Sequence, residues 1–166
     1  MTVGRNAFEK VTIFSGGQTG VDRAALEFAL EADIPHGGWC PHGRAAEDGS
    51  ISPKFQLRET ESADPAVRSR LNVLDTDATL IFSNAEVECP GTKLTRWFAT
   101  ILRRPLLVFD KAESSCDAEF AGTLQRWLLD DQQPRLLNVA GPRASADPDI
   151  RDFSLRVLRA CQRDDG

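Results

Sequence analysis

The sequence lacks any apolar run long enough to cross a membrane. Apolar stretches such as Leu106 to Phe109 and Leu80 to Phe82 are far shorter than the roughly 20 residues that a membrane helix requires. Residues 1–10 also lack the charged, apolar and small-residue order of a secretory signal. We therefore expect a cytoplasmic protein that contacts no membrane, in which residues 1–10 form a flexible N-terminus.

An excess of basic charge is missing as well. Twenty lysine and arginine residues stand against 25 aspartate and glutamate residues, which gives a formal net charge of -5. Proteins that bind the phosphate backbone of nucleic acids need a positively charged surface. The composition therefore argues against nucleic acid as a partner.

Motifs for metal binding and for hydrolysis are absent too. The four cysteines are scattered, with no Cys-x-x-Cys pair and no histidine at zinc spacing, so neither a structural zinc site nor a disulfide framework is expected. The sequence contains no nucleophile elbow and no His-Glu-x-x-His motif. This pattern favours a binding protein over a hydrolase.

What the sequence does contain is a regular alternation of apolar strands with amphipathic helices. Strands are predicted at 11–14, 78–83, 105–110 and 135–140, and helices at about 21–32, 65–74, 92–103, 118–129 and 150–158. Such alternation predicts an α/β protein with a Rossmann-like, doubly wound and mostly parallel sheet that has helices on both faces. The whole chain, 1–166, is expected to form one domain.

Several helix and strand patterns carry more detailed expectations. Asp64-Pro65 is typical of an N-cap followed by proline at the first helical position. The uniformly apolar strand at 105–110 suggests cover on both faces of the sheet. Apolar side chains at helical spacing are expected to be buried, namely Val21, Ala25, Phe28, Ala29 and Ala32 in the first helix and Leu94, Phe98, Ile101 and Leu102 in the third.

The turn after the first strand is the strongest candidate for a ligand site. It consists of Ser15, Gly16, Gly17, Gln18, Thr19, Gly20, Val21 and Asp22. Glycines let the backbone approach a ligand closely, and the N-terminus of the following helix favours an anion. The turn matches neither Gly-x-Gly-x-x-Gly nor the P-loop, so classical NAD or ATP binding is disfavoured. The alternative is a tight turn alone, with Asp22 as the helix cap.

Two further strand ends contribute candidate residues. The segment from Ser83 to Thr92 is expected to lie beside the first turn, where Gly91 and Thr92 offer an amide and a hydroxyl at a helix start. Lys93 adds positive charge there or is a solvated lysine. At the last strand end, Asn138, Ala140 and Gly141 either hydrogen-bond a heterocycle or simply end the strand.

The segment from Ile34 to Asp64 is predicted to be an ordered loop with little secondary structure. Within it, the indole of Trp39 offers a stacking surface and the guanidinium of Arg44 a planar fork for phosphate. The candidates in this loop are Trp39, Cys40, Arg44, Glu47 and Asp48. Glu47 and Asp48 offer acceptors for the N–H edge of a purine or pterin, and Cys40 is a soft metal ligand or a buried thiol. The alternative for the loop is a Gly-Pro turn whose charges pair with one another.

Several of these motifs resemble those of the molybdenum-cofactor carrier proteins. The resemblance extends over nearly the whole chain and is carried by residues 15–25, 35–41, 43–44, 46–49, 58–60, 70–73, 91–92 and 137–143. It implies a Rossmann-type fold related to the lysine-decarboxylase-like and phosphoribohydrolase proteins. It also implies a homo-oligomer, commonly a tetramer, that binds and protects the molybdenum cofactor without catalysis.

In this interpretation the ligand is a small anionic cofactor, a pterin with a terminal phosphate and a dithiolene-bound molybdenum, or molybdate. Its oxygens would meet the amides of Gly16 to Gly20, and molybdoenzymes or proteins of cofactor biosynthesis are the expected partners. The related phosphoribohydrolases have a catalytic glutamate after a Pro-Gly-Gly-x-Gly-Thr turn. Here Cys89-Pro90-Gly91-Thr92-Lys93-Leu94-Thr95 contains no acid, so the resemblance does not imply hydrolase activity. The alternative is a sensor of a nucleotide or ADP-ribose derivative, or a phosphoribohydrolase-like enzyme.

Overall fold

A computed structural model describes residues 5–113, 116–130 and 134–163 of the protein. The strands in these ranges are β1 (Thr12–Phe14), β2 (His36–Gly37), β3 (Trp39–Cys40), β4 (Ala45–Ala46), β5 (Gly49–Ser50), β6 (Arg58–Glu59), β7 (Ala78–Ser83), β8 (Leu106–Asp110) and β9 (Leu136–Ala140). The helices are α1 (Val21–Glu31), α2 (Pro65–Leu74), α3 (Pro90–Ile101), α4 (Asp117–Leu128) and α5 (Ile150–Gln162). The predicted alternation of strands and helices is confirmed.

The central sheet has five parallel strands in the order β2-β1-β9-β7-β8. The last strand of the chain, β9, lies between β1 and β7, and Phe14 of β1 is in register with Asn138 of β9. The strands β1 and β7 are therefore not neighbours, although the first turn and the 83–92 turn line one cavity at the carboxyl edge of the sheet. The carboxyl end of β9 separates the carboxyl ends of β1 and β7.

Helices cover both faces of the sheet, as predicted for a Rossmann-like α/β fold. Helices α1, α4 and α5 pack on one face and share the main core with β1, β7 and β9. Helices α2 and α3 pack on the other, where Val73, Phe98 and Ala99 form a smaller cluster. At the start of α2, the Asp64 side chain accepts a hydrogen bond from the Ala66 N–H, and Pro65 occupies the first helical position, which confirms the predicted cap.

Burial differs from the prediction at the side of the sheet formed by β8 and α3. Leu106, Leu107 and Val108 are only partly buried because β8 is an edge strand. Ile101 was expected in the core, but 51% of its surface is exposed. Helix α3 ends at Ile101, before the predicted Arg103. An apolar pattern does not distinguish a central strand from an edge strand, which explains the error at β8.

The N-terminal segment also corrects an expectation. Ala7 and Phe8 are buried in the core, and the ring of Phe8 packs edge-on against that of Phe28 at 5.2 Å between centroids. Residues 5–10 therefore pack against the domain, while residues 1–4 lie outside the described part of the chain. In the part of the chain that is described, no helix is both long and apolar enough for a membrane crossing.

The predicted loop, residues 34–64, is held together by very short elements. Strand β3 pairs in parallel with β6, and β4 pairs with β5 in an antiparallel hairpin, each over two residues. Beneath them Leu26, Cys40, Ile51 and Phe55 form a small core. The loop is thus an ordered structure that packs against α1.

Candidate anion-binding site

A cavity of about 270 Å³ opens at the carboxyl edge of the sheet, where ligands bind in open parallel sheets. It is enclosed by the turn after β1, the first turns of α2 and α3, and the end of β9. Its lining residues are Gly16, Gln18, Asp22, Asp64, Pro65, Ala66, Arg68, Ser69, Asn72, Cys89, Pro90, Gly91, Leu94, Thr95, Asn138, Ala140, Gly141 and Arg143. All three predicted strand ends therefore contribute to one cavity.

Several residues of the first turn shape the backbone rather than line the cavity. The Ser15 hydroxyl donates to the Val139 carbonyl at 2.9 Å, which ties the turn to β9. Gly20 has a φ of 79°, and a Cβ atom there would lie 2.2 Å from the Pro142 carbonyl oxygen. Gly17 has a φ of 82°, and its carbonyl accepts hydrogen bonds from Arg23. Thr19 is not a lining residue either, and its hydroxyl donates to Glu47 and accepts from the Ala144 N–H.

The amides of this turn are partly occupied by the protein itself. The Gln18 N–H donates to the Asp22 carboxylate at 3.2 Å, and the Thr19 N–H donates to the Gln18 side-chain oxygen at 3.0 Å. Asp22 makes no cap hydrogen bond to α1, whose N-cap is Gly20. Fewer backbone N–H groups of this turn are therefore free to bind a ligand than the glycine pattern predicts.

Arg68 is a cavity residue that the sequence did not reveal. Its Nη1 donates to the Asp22 carboxylate at 2.8 Å, and its guanidinium lies so close to Gly16 that a Cβ atom there would be 1.7 Å from Nη1. The two side chains are only 14% and 6% exposed. Gly16 thus makes room for a buried guanidinium beside the cavity.

The N-terminus of α3 presents free backbone donors to the site. Its N-cap, Cys89, makes no side-chain cap hydrogen bond, and Pro90 has no N–H group. The first bond of the helix runs from the Lys93 N–H to the Cys89 carbonyl at 3.1 Å. The N–H groups of Gly91 and Thr92 therefore have no partner within the helix and lie at its positive end.

A second cavity, of about 490 Å³, lies on the other side of this helix end. Its lining residues are Ile81, Ser83, Asn84, Ala85, Glu86, Val87, Glu88, Cys89, Thr92, Lys93, Arg96, Asp110 and Pro142. Lys93 forms an exposed ion pair with Glu88. Cys89 lines both cavities, so the two meet at the start of α3.

Two buried side-chain polar atoms of the described residues have no hydrogen-bond partner, Nε of Arg68 and Oγ1 of Thr92. Arg68 is a lining residue of the first cavity and Thr92 of the second. Buried polar groups in native proteins are nearly always satisfied, and an unsatisfied one costs about 1–3 kcal/mol. Both atoms are donors, which suits an anionic or oxygen-rich ligand.

The end of β9 supplies the third wall. Asn138 is buried beside Thr79, to whose hydroxyl its Nδ2 donates at 3.4 Å, and it lines the first cavity together with Ala140 and Gly141. A Cβ atom at Gly141 would lie 2.2 Å from the Phe82 carbonyl oxygen, so β9 and β7 approach closely there. Arg143, which follows, adds a second positive charge to the cavity lining.

The candidates from the 34–64 loop line neither cavity. The indole N–H of Trp39 donates to Asp75 at 2.8 Å, and the Arg58 guanidinium lies over its ring. Arg44 donates to the carbonyls of Ile51, Ser52, Phe55 and Leu57. Cys40 is fully buried, and this burial raises the pKa of its thiol. Arg44 is thus held within the loop, whereas Trp39 is held by Asp75 at the end of α2.

Glu47 and Asp48 connect that loop to the site indirectly. The Glu47 carboxylate accepts hydrogen bonds from the hydroxyls of Ser145 and Thr19, which hold its pKa below its usual value. Asp48 pairs with Arg23 at 3.0 Å, and this hydrogen bond lowers the pKa of Asp48. Through Thr19 and Arg23 the two carboxylates stabilise the first turn, although neither lines the cavity.

The described residues contain no group of three or more histidine, cysteine, aspartate or glutamate side chains that could hold a metal ion. His36 and His42, the two histidines of the chain, are therefore not part of such a group. His36 Nε2 accepts a hydrogen bond from the Gln56 N–H at 3.1 Å, and partial burial lowers the pKa of its imidazole.

Comparisons with known proteins agree with this architecture. Residues 13–162 match the model of cpYpsA, the circularly permutated YpsA SLOG family. The chain is also similar to a crystal structure, at 1.45 Å resolution, of a protein from Syntrophus aciditrophicus SB described as a "putative molybdenum carrier protein". The two are 40% identical, the match covers 92% of this chain and 95% of the other, and the TM-score is 0.87. No curated protein matches the chain significantly.

Proposed function

Because the chain belongs to the circularly permutated YpsA SLOG family, we propose that it binds and carries a molybdenum-containing anion in the cavity at the start of α3. The observation that carries the proposal is the pair of buried donors without partners, Arg68 Nε and Thr92 Oγ1, at the two sides of this helix end. The name of the similar Syntrophus protein supports molybdenum as the element concerned.

The donor set fits an oxyanion. The N–H groups of Gly91 and Thr92, the guanidinium of Arg68 and that of Arg143 can all donate to oxygen atoms from the walls of the cavities. Of the carboxylates in the first cavity, Asp22 is paired with Arg68 and Asp64 caps α2. Two carboxylates thus stand against two guanidinium groups in the first cavity, so its lining lacks the net negative charge of the whole chain.

We extend the proposal to the molybdenum cofactor itself. A volume of about 270 Å³ holds a tetrahedral oxyanion with room to spare, since one water molecule takes up about 30 Å³ in the liquid. The second cavity, of about 490 Å³, offers space for a larger group such as a pterin. Under this proposal the protein stores the cofactor and performs no catalysis. It receives the cofactor from proteins of cofactor biosynthesis or passes it to molybdoenzymes.

The test is retention of ligand through gel filtration, followed by metal and pterin analysis. We expect purified protein incubated with the cofactor to retain molybdenum and pterin in a fixed ratio. Retention of a nucleotide instead would support the alternative of a nucleotide sensor, and retention of neither would contradict the proposal.

A variant that introduces a negative charge sharpens this test. Gly91 lines the cavity, and a Cβ atom there meets nothing within 4 Å, so Gly91→Glu places a carboxylate where the anion is proposed to bind. Acidic residues are favourable in the first turn of a helix, so the fold should be retained. We expect molybdenum affinity to fall at least tenfold, which corresponds to about 1.4 kcal/mol.

The matched control is Gly122→Glu. Gly122 is also helical, lies in α4 outside both cavities, and has room for a Cβ atom at ordinary contact distance from Arg126. We expect this variant to bind as the natural protein does. An equal loss of affinity in both variants would indicate a general effect of charge and contradict the site.

A further inference from the structure

Asp22 is a buried acidic residue in a cavity that we propose to bind an anion. Its side chain is only 6% exposed, and it is a lining residue of the first cavity. In the described part of the chain, both hydrogen bonds to this carboxylate go to Oδ2, from the Gln18 N–H at 3.2 Å and from Nη1 of Arg68 at 2.8 Å. Oδ1 accepts none there, yet it is not among the fully enclosed atoms. The second oxygen of the carboxylate is therefore an open acceptor at the cavity.

This carboxylate is held in place from two sides. Gly16, which also lines the cavity, lies so close that a Cβ atom there would be 2.9 Å from Oδ2 of Asp22 and 1.7 Å from Nη1 of Arg68. A rotation of the carboxylate would break the two hydrogen bonds to Oδ2. An ionised carboxylate has acceptors only, so Oδ1 offers a ligand nothing but lone pairs.

The other polar groups of this cavity do not impose the same demand. Asn138 is 2% exposed, and an amide side chain has both N–H donors and an acceptor oxygen, so it can bond to a ligand oxygen with or without a proton. The guanidinium groups of Arg68 and Arg143 only donate. The Asp64 side chain is exposed and already accepts from the Ala66 N–H. Asp22 is therefore the buried group that distinguishes a protonated ligand oxygen from a deprotonated one.

We propose that Asp22 makes the first cavity selective for an oxyanion that carries a proton, such as hydrogen phosphate, over a fully deprotonated one, such as molybdate; this inference rests on the proposed function. The O–H group of the protonated anion donates to Oδ1 of Asp22, while its other oxygens accept from the guanidinium and backbone N–H groups. With a deprotonated oxyanion, two negatively charged oxygens meet without a hydrogen between them, which is unfavourable in a buried site. The proton stays on the ligand, and no covalent bond changes.

This selectivity implies which part of the molybdenum cofactor occupies the first cavity. The terminal phosphate of the cofactor is a monoester, whose last proton has a pKa of about 6, so it can enter as the protonated monoanion. The molybdenum then lies outside the first cavity. Free molybdate is expected to be a poor ligand of this cavity.

Four inorganic anions test the selectivity in two pairs. In mildly alkaline buffer, phosphate and arsenate are dianions that carry one proton, whereas sulfate and molybdate are dianions that carry none. Phosphate is similar in size to sulfate, and arsenate to molybdate, so each pair differs chiefly in the proton. Isothermal titration calorimetry measures the four affinities. We expect the natural protein to prefer the protonated member of each pair by at least about tenfold.

Asp22→Asn should remove this preference, because an amide can donate to a deprotonated oxygen. The double variant Asp22→Asn and Arg68→Gln should do the same, and it leaves no buried charge without a partner, so its fold should be retained. The matched control is Asp64→Asn, which takes the same charge from the same cavity and keeps a favourable N-cap. We expect this control to change both affinities of a pair alike and to preserve their ratio. The unfolding midpoint checks the fold of each variant.

Equal affinities within a pair, or a preference that persists in Asp22→Asn and in the double variant, would overturn the inference. Tighter binding of molybdate than of arsenate would overturn it while supporting the proposed function. A natural protein that binds none of the four anions also overturns it, and retention of the intact cofactor then decides the proposed function separately. Selectivity for phosphate that depends on Asp22, without retention of the cofactor, would support the role of Asp22 and contradict the proposed function.

Discussion

Individual glycines in the first turn have different structural roles. Gly16 makes room for the guanidinium of Arg68, whereas Gly20 lets the turn contact the backbone after β9. Gly91, by contrast, has open space around it. A glycine-rich motif by itself therefore does not tell which of its members face a ligand.

This difference predicts opposite effects of alanine at two helix-associated glycines. Gly20→Ala should lower the free energy of unfolding by at least about 1–3 kcal/mol, because φ is 79° and the Cβ atom would lie 2.2 Å from the Pro142 carbonyl oxygen. Gly122→Ala, inside α4, should raise it by about 0.5–1 kcal/mol. Urea unfolding of both variants measures the two changes. A neutral Gly20→Ala would contradict the close approach of the two turns.

At the scale of elements, the Asp147 side chain connects the segments that follow β7 and β8 with the segment that precedes α5. Its carboxylate accepts hydrogen bonds from Asn84 after β7 at 2.9 Å, from Lys111 after β8 at 3.1 Å, and from the Asp149 N–H before α5 at 3.1 Å. Burial by itself would raise the pKa of Asp147, but these hydrogen bonds outweigh it and hold the pKa below its usual value. Asp147 thus stabilises the fold in its charged form.

The lowered pKa of Asp147 predicts a pH dependence with a definite sign. A carboxyl whose pKa is depressed by folding adds stability above its unfolded pKa, about 4, and loses it as the pH falls through the folded value. Asp147→Asn should therefore cost about 1–3 kcal/mol near pH 7, with the difference from the natural protein shrinking below about pH 4.

Urea unfolding across this pH range measures the difference, with Asp152→Asn as control. Asp152 pairs with Arg151 but is 71% exposed, so its loss should cost at most about 1 kcal/mol. A constant difference between the natural protein and Asp147→Asn at all pH values would show that the carboxylate charge is not what stabilises these loops.

At the scale of the whole molecule, α3 presents an exposed apolar surface. Trp97 and Ile101 are 55% and 51% exposed, and their spacing of four residues puts them on one face of α3. The resemblance to carrier proteins implies a homo-oligomer, and this face is where we expect a second copy of the chain to pack. Such exposed aromatic and aliphatic residues are common at protein interfaces.

We predict that the protein is a homotetramer and that charges on this face dissociate it. The double variant Trp97→Asp and Ile101→Asp should have a smaller mass by light scattering, because burying two carboxylates in an apolar interface is unfavourable. Leu30→Asp, which changes the exposed leucine of α1, is the control and should keep the assembly. A natural protein that is monomeric at micromolar concentration would contradict the prediction.

The sequence by itself determined the features that depend on neighbouring residues. The alternation of strands and helices, the Asp64-Pro65 helix start, and the buried face of α1 with Phe28 and Ala29 were all predictable. The reason is that periodicity and capping act within one or two turns of the chain. The tight turns at 15–22 and 89–92 were visible for the same reason.

Only the tertiary structure decided which residues meet. Nothing local indicates that β9 enters the sheet between β1 and β7, or that Arg68 of α2 lies against Gly16 and Asp22. The 34–64 loop shows the same limit, because the guanidinium of Arg44 binds backbone carbonyls of its own segment and not the cavity. Contacts between distant segments depend on strand order and helix packing, which a single sequence does not encode in any local pattern. The tight turn at 15–22 was thus predictable as a motif, while the residues that line the same cavity at the start of α3 and in α2 became visible only in the folded protein.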